Sequence, residues 1–96
     1  MRSEFNISVH RNGGSVNFRL KGVFDAHSAN RLLQVLKDNS QGVRMAVIET
    51  AELEHVYPSG RDLFQRKVHV LKDFCYRLVF FGDNARQFAP NWIEYF

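Results

Sequence analysis

Hydrophobic residues recur along this chain with two different periods, and the switches between them divide it into elements. Phe5, Ile7 and Val9 alternate with Asn6, Ser8 and His10. After Asn12-Gly13-Gly14 the alternation resumes as Val16, Phe18 and Leu20 against Asn17, Arg19 and Lys21. A period of two marks strands with one buried face. An Asn-Gly step between two such runs signals a hairpin, because both residues tolerate positive φ. The chain therefore opens with an antiparallel β-hairpin whose second strand ends at Gly22.

Beyond Asp25 the period lengthens. Ala29, Leu32, Leu33 and Leu36 recur at helical spacing, with Arg31, Gln34 and Lys37 off that stripe. Asp25 is the expected N-cap, since its carboxylate can accept from the free amides of the first turn. Gly42 is the expected stop. Met45-Ala46-Val47-Ile48 is a short, continuous apolar run, which predicts a strand covered on both faces. A polar loop holding Glu52, Glu54 and His55 is expected next. Pro58 then blocks any helix from continuing through it, and Ser59 with Asp62 fits a capping box. From there Leu63, Phe64, Lys67, Val68, Leu71 and Phe74 trace one helical face, the alkyl stem of Lys67 lying along it. Leu78 to Phe81 predicts a second apolar strand, Asn84 to Phe88 a short helix broken by Pro90. The apolar tail, Trp92 to Phe96, is expected to pack back or to sit at a contact surface.

The order is β-hairpin, α, β, α, β, α. Buried strands separated by amphipathic helices imply parallel pairs with right-handed crossovers. The fold class is α/β: a mixed, about four-stranded sheet opened by a hairpin, with two main helices and a short third. Ninety-six residues predict a single domain over 1–96.

Charge changes this picture little. The net charge of +3 is dispersed, and the longest basic pair is Arg66-Lys67, so no nucleic-acid-binding stripe is seen. The aromatic and basic run Phe74-Cys75-Tyr76-Arg77 enters a buried strand. The lone Cys75 excludes an intrachain disulfide framework and fits a reducing cytoplasm. No apolar stretch reaches the length of a transmembrane helix, and Met1-Arg2-Ser3-Glu4 lacks the apolar core of a signal peptide.

The chemistry-bearing motifs are mostly missing. His10, His27, His55 and His69 form no metal-ligand spacing, so no metal or other cofactor is expected. Ser59 lacks the glycine two residues before it that a nucleophile elbow needs, because position 57 is Tyr. Neither phosphate-loop pattern occurs. A non-enzymatic role follows. The informative segment is the turn from Tyr57 to Asp62. A hydroxyl there either caps a helix or carries a phosphate stabilised by helix N-terminal amides.

Three stretches then resemble the STAS domain, the family of bacterial anti-sigma-factor antagonists and of sulfate-transporter cytoplasmic domains. Lys21-Gly22-Val23-Phe24-Asp25, with the helix after it, looks like the family's Gly-x-hydrophobic-Asp motif. Val47-Ile48-Glu49, then Leu53 and Val56, then Ser59-Gly60 opening a helix, looks like its strand, loop and Asp-Ser-Ser/Thr-Gly turn. Leu78 to Gly82 is similar to its later strand and glycine. The resemblance covers residues 5–90. It implies a SpoIIAA-like fold and a protein-binding surface at Asp25, Tyr57, Pro58, Ser59, Gly60 and Arg61. It also implies a protein partner: an anti-sigma factor or serine kinase, or a transport subunit. The chain departs from the family where its switch resides. Tyr57 stands at the acidic position and Pro58 at the phosphorylated serine, leaving Ser59 as the candidate phosphorylation site. The alternatives are a small-ligand or lipid-binding accessory subunit of a transport system, and a homodimer built on the tail.

Overall fold

The computed structural model describes residues 5–68, 77–88 and 94–95. Strand β1 (Phe5–Asn12) pairs antiparallel with β2 (Ser15–Phe24) through the two-residue turn Gly13-Gly14, with Gly13 in the left-handed region at φ 63°. Helix α1 (Ala26–Asn39) leads to β3 (Met45–Val56), then α2 (Pro58–Lys67), β4 (Leu78–Phe81), α3 (Ala85–Phe88) and β5 (Glu94–Tyr95). The sheet order is β1-β2-β3-β4-β5, and every pair after the hairpin is parallel. This is the mixed sheet and three-helix arrangement expected from the pattern. The tail adds a fifth, two-residue strand that pairs with β4 through Val79 and Phe80.

One face of the sheet holds the core. Val16, Phe18, Leu20, Phe24, Ile48 and Phe80 meet Leu32 and Leu36 of α1, Phe64 of α2 and Phe88 of α3 in a single buried cluster. Phe24, Phe64, Phe80 and Phe88 interlock, with ring centroids 4.6–6.2 Å apart and mostly edge-to-face contacts. The opposite face carries Asn17, Arg19 and Glu49 near the hairpin. There Asn17 Nδ2 donates to Glu49 Oε2 at 2.8 Å, and Arg19 lies 3.5 Å from Glu49 and 3.7 Å from Glu52. Val47 and Val79 are buried as well, as their continuous apolar runs predicted.

Four local expectations differ from the structure. Strand β2 does not end at Gly22; it runs through a glycine at φ 103° to Phe24. Glu52, Glu54 and His55 are not in a loop, because β3 extends to Val56. The register explains the second. Arg19 faces Glu49 but Lys21 faces Glu52, and Gly22 faces Leu53 but Val23 faces His55, so β3 carries two extra residues against β2. Each bulge resets which side chains turn inward, so the clean alternation is lost while pairing continues. Helix α2 begins at Pro58, so Ser59 is not its cap. Proline arrives with φ already helical and no amide to lose, which suits it to the first helical position. Finally, Lys67 is exposed rather than laid along the buried face. The expectations for Leu71, Phe74 and Cys75 lie outside the described residues.

Candidate protein-interaction site

Strands β2 and β3 end side by side, with Phe24 opposite Val56. The residues that follow, Asp25 and Tyr57, are therefore neighbours although 32 positions separate them. The Tyr57 amide donates to the Phe24 carbonyl at 2.8 Å, which ties the start of α2 to the end of β2. Tyr57 is extended, with φ −79° and ψ 144°, the conformation that a following proline favours. Its carbonyl accepts from the amides of Gly60 at 3.1 Å and Arg61 at 3.0 Å, so backbone rather than side chain starts the helix.

Gly60 decides how closely the two segments approach. It is buried, and a Cβ there would fall 2.6 Å from both the Asp25 carbonyl carbon and its oxygen. Only hydrogen fits between α2 and the β2–α1 loop. The signal for this was legible only as a glycine in a helix's first turn, where it has no capping use.

Asp25 caps α1 as expected. Its Oδ1 accepts from the Ser28 amide at 2.9 Å. The Ser28 hydroxyl lies 3.0 Å from the same carboxylate oxygen and 2.8 Å from the Val23 carbonyl. The Ser28 amide holds the Asp25 carboxyl below its ordinary value. Partial burial opposes this, while the Ser28 hydroxyl and the charge of His27 add to it.

The surface above this joint combines an exposed aromatic with polar neighbours. Tyr57 is 46% exposed, and its ring packs edge-on against His55 at 4.3 Å. Pro58 and Ser59 are exposed, and Arg61 Nε reaches the carboxylate of Asp62 at 3.2 Å. The six predicted residues thus fall on one joint at the carboxyl ends of β2 and β3. Five reach its surface at least in part, while Gly60 sits beneath and sets the spacing. The sequence pattern places His55 in a polar loop; instead it lies at the end of β3, with its ring against Tyr57.

No protein-family model matches this sequence, and no curated protein matches it. Solved structures do. The crystal structure of Mglu superposes on 90% of this chain with a TM-score of 0.66 and 26% identity, and the match spans 20% of that longer chain. A protein of the DUF3478 family from Shewanella loihica PV-4, uncharacterized and with a SpoIIAA-like fold, matches all of this chain. That match covers 88% of its own length, with a TM-score of 0.60 and 17% identity. The chain has a SpoIIAA-like fold. The STAS-like architecture implied by Gly22-Val23-Phe24-Asp25 and by the Ser59-Gly60 helix start is therefore present. Asp25 and the start of α2 form one joint of this SpoIIAA-like domain. Among the described residues, no helix is long and apolar enough to cross a membrane.

Proposed function

We propose that this protein is a non-enzymatic interaction module, similar to an anti-sigma-factor antagonist, that docks a regulatory protein on the joint between Asp25 and the start of α2. The single observation that supports this most is Tyr57. A large ring stands nearly half exposed on a backbone fixed by the Phe24 carbonyl and by the Gly60 contact. Tyrosine and arginine are favoured anchors at interfaces, and a ring already held in place loses little freedom on binding. Arg61, one helical turn on, supplies a cation beside it. The partner class is a regulatory kinase-like protein or a transport subunit, in the cytoplasm of a bacterium.

Ser59 is the proposed modification position. Pro58 has no hydroxyl, whereas Ser59 is exposed within the first turn of α2. A phosphate there adds nearly two negative charges to the first turn of α2, which alters the surface. Ser59→Glu is expected to weaken partner binding and Ser59→Ala to leave it intact; equal binding by both removes the switch.

Hydrogen exchange on the purified complex tests the surface itself. Amides of residues 25–28, 57 and 59–62 are expected to slow on binding. Protection confined to β1 or to the exposed side of α1 contradicts the assignment.

A further inference from the structure

The outer edge of the hairpin is open. Strand β1 ends the sheet order, so its second edge pairs with no other strand. The two-residue turn makes Asn12 and Ser15 a hydrogen-bonded pair, and such pairs alternate along an antiparallel ladder. Asn6, Ser8 and His10 therefore exchange hydrogen bonds with β2, while Phe5, Ile7, Val9 and Arg11 turn their backbone groups outward. The Phe5 carbonyl agrees with this, because it accepts from Arg31 Nη1 of α1 at 2.8 Å. Among the described residues, nothing bonds the outward groups of Ile7, Val9 or Arg11.

Edge strands are usually blunted by lysine, proline or a bulge. Strand β1 has none of these: its eight residues hold an unbroken register against β2 and include neither Lys nor Pro. Its basic residues, His10 and Arg11, lie toward the turn. Val9, near the middle, is 41% exposed, one of three large hydrophobic residues left open among the described residues.

The strand complements itself. Laid antiparallel on a second copy with a two-fold axis at Val9, it sets Val9 against Val9, Ile7 against Arg11 and Ser8 against His10. Each basic residue then meets a neutral one, and the outward groups of Ile7, Val9 and Arg11 all find partners. Other centres fail on the chemistry of the strand's two ends. An axis at Arg11 sets two guanidinium groups opposite each other, which destabilises a strand pair. One at His10 opposes two imidazoles and leaves Ile7 facing the turn. An axis at Ile7 or Ser8 sets Phe5 against Val9 or Arg11, and Arg31 already holds the Phe5 carbonyl. We propose that β1 pairs with β1 of a second copy about Val9, joining the two sheets edge to edge. One strand edge is a small interface, so the dimer dissociates on dilution. It is independent of the joint at Asp25 and Tyr57.

The test is sedimentation velocity of the purified chain from about 1 μM to about 1 mM, with amide NMR at both ends of that range. The mass is expected to rise from that of the 11.2 kDa monomer toward the dimer. In the concentrated sample the amides of Ile7, Val9 and Arg11 are expected to shift and to gain protection from exchange. Those of Ser8 and His10, already bonded to β2, are expected to change least. That alternation distinguishes strand pairing from association through any other surface. Val9→Lys sets two ammonium groups across the axis and is expected to weaken dimerisation by about tenfold or more. Val9→Thr keeps the branched shape and is expected to dimerise as wild type does. Circular dichroism verifies the fold of both variants. A chain that stays monomeric throughout, a dimer that Val9→Lys leaves at wild-type affinity, or a dimer without the alternating protection overturns the proposal.

Discussion

Gly60 and Asp25 show how much a single atom decides here. The missing Cβ of Gly60 lets α2 start against the Asp25 carbonyl, and backbone is what a methyl group would strike. Gly60→Ala is expected to lower stability by about 1–3 kcal/mol in chemical denaturation, the usual cost of overpacking a tight contact. Ser59→Ala, one position earlier, is expected to change it by less than about 0.5 kcal/mol, since Ser59 is exposed and caps nothing. The contrast separates the observed helix start from the capping box that Ser59 and Asp62 suggest in the sequence. Asp25 is legible from sequence because its role is local: an acid immediately before an apolar-periodic run. Asp25→Ala is expected to cost about 1 kcal/mol at neutral pH. The sign of its pH dependence follows from its lowered pKa. The folded state holds the proton less tightly than the unfolded chain, so the stabilisation is fully present above the ordinary 3.8. It is lost as pH falls through the lower, folded value. The stability gap between wild type and Asp25→Ala, measured by denaturation across pH, is therefore flat near neutrality and closes in acid.

Elements were legible where one period held along their length. Val16, Phe18, Leu20 and Phe24 alternate inward without interruption, and Ala29, Leu32 and Leu36 mark one side of α1. For strand β3 the pattern predicts only the apolar first half. In its second half Thr50, Leu53 and Val56 turn inward at intervals of three, because the two bulges against β2 each insert a residue. No local rule distinguishes that spacing from a loop; the long-range pairing with β2 determines it. The same holds in the other direction for α3. Four residues cannot sustain a helix by themselves. Packing sustains it: Phe88 touches Phe24, Phe64 and Phe80, and the Asn84 side chain donates to the Thr50 carbonyl at 3.1 Å. Phe88→Ala is accordingly expected to cost about 3–5 kcal/mol, the range for deleting a buried ring, although it sits on the shortest helix. Urea denaturation of the variant checks this, and a cost below about 1 kcal/mol contradicts the packing described.

At the scale of the whole molecule, the two ends of the sheet bring different residues together. The carboxyl ends of β2 and β3 carry the Asp25–Tyr57 joint, and the start of β3 and β4 carries Arg44 and Arg77. Sequence located the joint because its parts bear local signatures: a cap at Asp25, a proline at position 58, a glycine at position 60. Neighbourhoods such as that of Arg44 and Arg77 are not legible, because 33 positions separate them and only the parallel register brings the starts of β3 and β4 together.

The central claim is that the Tyr57 joint is the docking surface, and the double variant Tyr57→Ala with Arg61→Ala tests it most directly. Both residues lie at the surface, so the fold is expected to persist, and circular dichroism verifies it. Wild type, the double variant and a control with Lys37→Ala in the last turn of α1 are immobilised. Each is exposed to cell extract of the source organism, and bound proteins are quantified. The expected result is a partner retained by wild type and by Lys37→Ala but lost from the double variant. A double variant that retains every partner at wild-type level contradicts the account.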